Sequence, residues 1–226
     1  MVLPGQSNVC DTGHMCAAAQ PYPPAQDGGD VTDTKDEFRA MLRAARHHTS
    51  ARQRAEAGAA LARVVSTLPG LDEARCVAAY SARPSEPDTT AILELLSERG
   101  IEVLLPVLGA GLSREWAAYA GPEDLVQRAP GRPPEPGTPS LGAEGLSRAD
   151  LILAPALAVD SSGTRLGQGG GWYDRALQHA RPGVPVVALV FADEVYDADT
   201  HPLPREQHDR RVDMVATPEG WHPLPR

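Results

Sequence analysis

The chain has 226 residues, of which 42% are hydrophobic and 23% charged, and its formal net charge at pH 7 is −9. This composition is typical of a globular protein, and the negative charge argues against general nucleic-acid binding, which requires a basic surface. The sequence has no apolar run of membrane-spanning length, and its first residues lack the pattern of a secretory signal. We therefore expect a cytoplasmic protein that binds neither nucleic acid nor membrane.

The first part of the chain divides into a tail and the beginning of one domain. Residues 1–31 mix Pro, Gly, Ala and Asp without periodicity, which predicts a disordered N-terminal tail. Residues 32–226 are predicted to form a single domain. Thr34 and Glu37 have the spacing of a capping box, so we expect the first helix to begin there. A second helix is expected to begin near Ser50.

From residue 75 onward, apolar runs alternate with helical patterns. Residues 121–147 are rich in Pro and Gly and are expected to form a long surface loop. A strand, helix, strand order implies that neighbouring strands are parallel. The sequence therefore predicts an α/β fold, a three-layer sandwich with a largely parallel sheet flanked by helices. The strands are expected at 75–80, 101–107, 115–119, 150–157, 184–191 and 212–216, and the helices at 88–100 and 172–180.

A glycine-rich loop follows the strand that ends at Leu157 and precedes the helix that begins at Trp172. Ligands of open α/β sheets bind at the carboxyl ends of strands, where this loop begins. Glycines let backbone N–H groups approach phosphate oxygens, and the guanidinium of Arg165 adds a forked donor. Many glycine clusters are only turns, and this one matches neither the Rossmann nor the Walker pattern, but the combination favours a phosphate site. The backbone candidates are Gly167, Gly169, Gly170 and Gly171.

Asp174 lies in the first turn of the helix that follows this loop. An acidic side chain is favoured there by the dipole of any helix, so Asp174 is explained equally well as a helix-end charge. Beside bound phosphates, the same carboxylate is well placed to hold Mg²⁺, a hard cation that prefers oxygen ligands.

Lys35 is the only lysine among 21 basic residues. If a codon bias replaces lysine wherever arginine serves equally well, the lysine that remains marks a place where a compact ammonium is needed. A lysine in the first turn of a helix also faces the positive end of the dipole, which is unfavourable unless an anion is near. Arg39 lies one turn further along the same face. The alternatives are chance and a solvated basic helix face.

The segment RLGQGGGWYDR, at 165–175, resembles the signature of the 5-formyltetrahydrofolate cyclo-ligases. That signature reads Arg-Leu-Gly-x-Gly-x-Gly, an aromatic residue, Tyr and Asp. The family usually precedes it with Pro-Gly-Leu-Ala-Phe-Asp and a Gly, matched here by 155–160 and Gly163. The resemblance extends from Lys35 to about Trp221. The departures are Ala156, Val159, Gln168 and Trp172, which alter the wall of the pocket more than the phosphate-binding backbone.

The resemblance implies a role for each of several residues. Lys35 and Arg39 match a Lys-x-x-x-Arg helix that binds ATP phosphates, and Lys35 and Arg165 are expected to be catalytic. Glu86 matches a glutamate that contacts the folate, and Tyr80 is expected to line the same pocket. Asp174 and Asp209 are expected to hold Mg²⁺. The predicted nucleotide-binding residues are Lys35, Arg39, Arg165, Gly167, Gly169, Gly170, Gly171, Trp172, Tyr173 and Asp174. Glu135 and Pro136 match an acidic-proline pair that is structural or lines the pocket.

Family membership would imply ATP-dependent conversion of 5-formyltetrahydrofolate to 5,10-methenyltetrahydrofolate, with ATP and Mg²⁺ as cofactors, by a monomer or weak dimer. Two alternatives remain open. Sugar-phosphate isomerases and CoA transferases have a related sheet, and a phosphate loop alone would serve such an enzyme. A nucleotide-binding paralogue that has lost the folate pocket is the other alternative, which the substitutions at Val159, Gln168 and Trp172 leave open.

Overall fold

A computed structural model of the chain describes residues 20–23, 30–108, 113–130, 132–207 and 209–225. Most of the predicted tail, 1–31, lies outside the described residues. None of the helices in the described ranges is both long and apolar enough to cross a bilayer. The four α-helices described are α1 (Val31–His47), α2 (Ala51–Val65), α3 (Thr90–Glu98) and α4 (Trp172–Ala176). The strands are β1 (Cys76–Ala78), β2 (Glu102–Leu108), β3 (Arg114–Ala118), β4 (Leu125–Val126), β5 (Glu135–Pro136), β6 (Leu151–Pro155), β7 (Ala158–Asp160), β8 (Arg165–Leu166), β9 (Val186–Leu189), β10 (Val195–Tyr196), β11 (Met214–Thr217) and β12 (Gly220–Pro223).

Seven strands form one sheet in the order β12-β11-β9-β6-β1-β2-β3. The five inner strands run parallel, while β12 and β3 pair antiparallel at the two edges. Parallel strands are covered on both faces, which explains why the inner strands read as apolar runs without polar alternation. The predicted α/β class and largely parallel sheet are confirmed.

Successive residues of the inner strands supply two separate cores. Val77 and Leu153 belong to the cluster that contains the buried faces of α2 and α3. Ala78 and Ile152, one residue along, belong to the opposite cluster, which contains residues of α4 and the 3₁₀ turn after it. Because side chains alternate across a strand, the sheet is the middle layer between two helical layers.

Of the two predicted helix starts, one is confirmed and the other is wrong. Ser50 and Gln53 form the expected capping box at α2, with the Gln53 N–H donating to Ser50 Oγ at 3.2 Å. The predicted box at Thr34 and Glu37 is wrong, because α1 begins at Val31. The Asp30 side chain caps that helix instead, accepting from Thr32 N at 3.1 Å.

Two segments predicted as loops contain short strands. β7 and β8 lie between the end of β6 and the glycines, and together with β10 they form a second, three-stranded sheet. β4 and β5 pair within the long loop at 121–147. The edge strand β12 was not predicted either. Strands of two to four residues are too short to show an alternating pattern, so the sequence reasoning missed them.

Helix α1 packs on the small sheet. Phe38 and Leu42 from α1 form a third apolar cluster with Leu166, Tyr196 and Leu203. A buried ion pair fastens the end of the helix to this layer. Arg46 Nε lies 2.6 Å from Glu194 Oε1, and its Nη2 donates to the Ala156 carbonyl at 2.7 Å.

Arg46→Ala is expected to lower the free energy of unfolding by about 3–5 kcal/mol, because Glu194 would keep a buried charge without its partner. Urea unfolding followed by tryptophan fluorescence measures the change. Arg52→Ala is the control, since Arg52 and Glu56 form an exposed pair whose loss should cost below about 1 kcal/mol. Similar, small losses in both variants would contradict a special role for the Arg46 pair.

Candidate active site

A cavity of about 340 Å³ opens at the carboxyl ends of β1 and β6. The chain passes from β1 outward to β2 and β3, and then returns to β6 on the other side of β1 and continues to β9 and β11. Such a reversal of strand order leaves a crevice between the two central strands, where open α/β sheets bind ligands. Every residue predicted for the site lines this cavity: Lys35, Arg39, Tyr80, Glu86, Arg165, Gly167, Gly169, Gly170, Gly171, Trp172, Tyr173, Asp174 and Asp209.

The glycine segment forms one wall of the cavity. Gly169 has φ +96° and Gly171 has φ +56°, backbone conformations that other L-residues rarely adopt. A Cβ atom at Gly170 would have no protein atom within 4 Å, so open space adjoins the backbone there. The helix after the glycines is shorter than predicted, because α4 ends at Ala176 and continues only as a 3₁₀ turn.

Arg165 is held rigidly beside the glycines. It lies on β8, a strand of the small sheet, and its Nη1 donates to the Pro155 carbonyl at the end of β6 at 3.0 Å. Its Nη2 donates to Asp174 Oδ1 at 3.0 Å, and its guanidinium lies over the ring of Tyr173 at 5.8 Å. Asp174, predicted to be a metal ligand, is therefore paired with an arginine in this structure. Arg165 Nε is buried without a hydrogen-bond partner among the described residues.

Lys35 is buried and shares its ammonium between two carboxylates. Its Nζ lies 2.5 Å from both Glu206 Oε2 and Asp209 Oδ2. The Glu206 backbone N–H donates to the same Asp209 oxygen at 2.8 Å, which fixes the turn that carries both acids. The ammonium of Lys35 is thus a point charge placed between two carboxylates.

Glu206 is a site residue that the sequence reasoning missed. It lies three residues before Asp209 in the segment that resembles the family, and that spacing was the available signal. The two predicted metal carboxylates, Asp174 and Asp209, are each paired with a different cation. Within the described ranges, no group of three or more His, Cys, Asp or Glu side chains is arranged to hold a metal ion.

Two arginines of α1 hold the glycine segment by its carbonyls. Arg39 Nε donates to Gly167 O at 3.0 Å, and Arg43 Nη2 donates to Gln168 O at 2.7 Å. Arg43 was not among the residues predicted for the site. Its position four residues after Arg39 places it on the same side of the helix, a signal that would have identified it.

Glu86 lies in the loop after β1, where it is buried and contacts the glycine segment. Its Oε1 accepts from Gln168 Nε2 at 3.0 Å, and its Oε2 accepts from the Arg83 backbone N–H at 2.9 Å. The hydroxyls of Tyr80 and Tyr173 are buried without a hydrogen-bond partner among the described residues. Burial raises the pKa of both phenols, and the negative charge of Glu86 raises it further, so both remain protonated donors near neutral pH.

Aromatic rings and the long loop close the remaining sides. The Trp172 ring packs against the rings of Trp116 and Tyr173, with ring centroids 5.2 Å and 4.9 Å apart. The predicted pair Glu135 and Pro136 forms β5, and Glu135 is buried and lines the cavity. The site thus combines a cationic wall beside the glycines with one buried carboxylate and two buried phenols, of which Tyr173 lies against Arg165.

The chain matches the family model of the 5-formyltetrahydrofolate cyclo-ligase family over residues 31–218. A 5-formyltetrahydrofolate cyclo-ligase of Mycolicibacterium smegmatis is 45% identical over 150 residues, covering 64% of this chain and 74% of the relative. The 5-formyltetrahydrofolate cyclo-ligase of Escherichia coli is 34% identical over 142 residues, covering 62% of this chain and 77% of the relative.

Two solved structures are also similar to the chain. The chain is similar to the 5,10-methenyltetrahydrofolate synthetase of Aquifex aeolicus, with 26% identity and a TM-score of 0.71 over 85% of this chain and 93% of that one. A synthetase of Mycoplasma pneumoniae, 16% identical, shares the fold with a TM-score of 0.62 over 81% of this chain and 98% of that one. The match across residues 31–218 and these similarities establish that the chain belongs to the 5-formyltetrahydrofolate cyclo-ligase family, a family of ligases.

Proposed function

We propose that this enzyme converts 5-formyltetrahydrofolate to 5,10-methenyltetrahydrofolate, consuming ATP and releasing ADP and phosphate. The observation that carries the proposal is the arrangement of the cavity. Cations and an open glycine backbone line the cavity together with a buried carboxylate and two phenols whose hydroxyls have no hydrogen-bond partner among the described residues. The cations and glycines suit a polyphosphate, and the carboxylate and phenols suit a ring rich in hydrogen-bond donors and acceptors.

The nucleotide half of the proposal rests on the charges around the glycines. Lys35, Arg39 and Arg165 bring three cations to the segment that includes Gly170, where open space adjoins the backbone. Phosphate oxygens entering this space would exchange with the carboxylates that Lys35 and Arg165 now contact. The oxygens of Asp209 and Asp174 suit Mg²⁺, which when bound with the nucleotide would neutralise phosphate charge.

The folate half rests on Glu86 and Tyr80. A buried carboxylate accepts N–H groups, and those of the pterin ring are matching donors. The hydroxyls of Tyr80 and Tyr173 lack a partner in the described residues, so they are free to donate to acceptors of the substrate. Such contacts would hold the formyl group toward the cationic wall.

The reaction needs little covalent participation by the protein. The formyl oxygen attacks the γ-phosphorus of ATP, an oxygen–phosphorus bond forms, and the bond to the β-phosphate oxygen breaks to release ADP. N10 then attacks the activated formyl carbon, loses its proton, and phosphate departs with the original formyl oxygen. Lys35, Arg39 and Arg165 would stabilise the charge on the transferring phosphoryl group, and the cavity would align the reacting atoms.

The proposal is tested by following the near-ultraviolet absorbance of the methenyl product with and without ATP and Mg²⁺. Product formation that requires ATP supports the proposed reaction. ATP binding without product would identify a nucleotide-binding paralogue. If the protein neither binds ATP nor forms the methenyl product, the proposed function is wrong.

Lys35→Ala is expected to lower kcat/KM by at least about 100-fold, because the phosphoryl group loses its buried ammonium. The measurement is the methenyl assay, with circular dichroism to verify the fold. Arg52→Ala removes an exposed arginine outside the cavity and should retain normal turnover. Normal turnover in the Lys35 variant would exclude the assigned role, and we expect the same loss in Arg165→Ala.

Gly170→Ala is expected to raise the KM for ATP by about tenfold or more without changing the melting temperature. The added methyl group meets no protein atom, so the fold tolerates it, but it occupies the space proposed for phosphate oxygens. Gly220→Ala is a matched control, since its Cβ also meets no protein atom and Gly220 does not line the cavity. Equal KM values in both variants would contradict phosphate binding at this wall.

Glu86→Gln is expected to raise the KM for 5-formyltetrahydrofolate by about 10- to 100-fold, because a charged acceptor of substrate N–H groups is lost. The KM for ATP should change little. Steady-state titration of each substrate separates the two effects, and an exposed acid on α3, Glu94, provides the control Glu94→Gln. If Glu86→Gln weakens ATP binding alone, Glu86 does not contact the folate as proposed.

A further inference from the structure

Residues 20–23, here named the strap, precede the region matched by the family model but lie against it. The Tyr22 hydroxyl donates to the Pro202 carbonyl at 2.9 Å, and the Tyr196 hydroxyl donates to the Pro21 carbonyl at 2.8 Å. Gln20 Nε2 donates to the Val195 carbonyl at 2.7 Å. The strap is therefore attached at several points along its length.

The Tyr22 ring fills a joint between three parts of the fold. It packs edge-on against Phe38 of α1 at 5.1 Å and against His201 at 4.5 Å. It also contacts Tyr196 of β10 at 6.3 Å. Edge-to-face aromatic pairs add directional stability to the area that they bury. One side chain thus joins the first helix, the small sheet and the turn that begins near residue 200.

These contacts lie close in sequence to the residues of the candidate active site. Phe38 is three residues after Lys35 on the same helix, and Pro202 is four residues before Glu206 in the segment that ends at Asp209. Lys35 meets Glu206 and Asp209 at 2.5 Å, so the helix and the segment join twice, once at the ion pair and once at Tyr22.

The strap packs against only one of the three apolar clusters of the described residues. Tyr22 packs against the third apolar cluster, that of α1 and the small sheet, and neither cluster of the large sheet includes it. Removing its ring would therefore loosen α1 against the turn while leaving the large sheet intact. Cation placement is sensitive to such shifts, because misplacement by about 1 Å weakens oriented contacts strongly.

We propose that the strap is a positioning element of the nucleotide site, in which Tyr22 holds Lys35 and Asp209 at the spacing that ATP requires. The proposal rests on the proposed function for the identity of the ligand. It assigns a role to residues before the family-matched region, and it makes ATP affinity, more than folate affinity, the property that the strap controls.

The test uses the full chain with Tyr22→Ala and Tyr22→Phe, and Tyr119→Ala as control. Tyr119 is a partly buried tyrosine that packs on the large sheet and does not line the cavity. Affinity for Mg²⁺ with a non-hydrolysable ATP analogue is measured by calorimetry, together with the KM of each substrate. Tyr22→Ala should weaken analogue binding roughly five- to thirtyfold with an unchanged KM for the folate. Tyr22→Phe keeps the ring contacts and should weaken binding about threefold or less.

Several results would overturn the proposal. A lower melting temperature of Tyr22→Ala with normal analogue affinity would show that the strap only stabilises the fold. If Tyr22→Ala weakens the binding of both substrates equally, the strap does not act on the nucleotide site in particular. The same conclusion follows if Tyr119→Ala weakens analogue binding as much as Tyr22→Ala does. If Tyr22→Ala does not fold, Gln20→Ala takes its place, and normal analogue affinity in it and in Tyr22→Phe overturns the proposal. If the wild type binds the analogue but forms no methenyl product, the proposed function is wrong, and the binding data alone decide the role of the strap. If the wild type does not bind the analogue, both the proposed function and the role of the strap are wrong.

Discussion

The reversal of strand order between β1 and β6 is the constraint on which the rest of the site depends. Parallel strands place all their carboxyl ends at one edge, and the reversal keeps the segments leaving β1 and β6 from covering each other. Glu86 therefore faces the glycines that follow β6, although more than 80 residues separate them in the chain. Helix α1 and the segment that carries Leu203, Glu206 and Asp209 complete the enclosure, since α1 and Leu203 pack on the small sheet that follows β6.

Charge in the cavity is balanced locally, in a chain whose net charge is −9. Lys35 is neutralised by Glu206 and Asp209, and Arg165 by Asp174. Buried cations without partners would be costly, so these carboxylates stabilise the site before any anion enters. Under the proposed function, an entering polyphosphate would replace one set of negative oxygens by another, and the protein would not have to create positive charge at that moment. This exchange is how an acidic protein can accommodate an anionic ligand.

The sequence predicted the fold class and many of the residues that line the cavity, but not how those residues are held. The inner strands were identified because buried parallel strands are continuous apolar runs, and Ser50 was identified because a capping box is local. Tertiary contacts decided the rest. Asp30 replaced Thr34 as the cap of α1, and the two-residue strand β8 that carries Arg165 has no periodic signal. Glu206 became a site residue only because folding brings it to Lys35 across 171 positions.

The hydrogen bond from Gln168 to Glu86 joins the two halves of the cavity directly. Gln168 belongs to the glycine segment, and its own carbonyl is held by Arg43, so the bond links α1, the segment and the loop after β1 in one chain of contacts. Under the proposed function, a nucleotide that shifts the glycines also shifts the carboxylate that receives the pterin. Thermodynamic reciprocity then requires the pterin to change nucleotide affinity by the same factor. Under the proposed function, the amide of Gln168 would therefore couple the affinities of the two substrates.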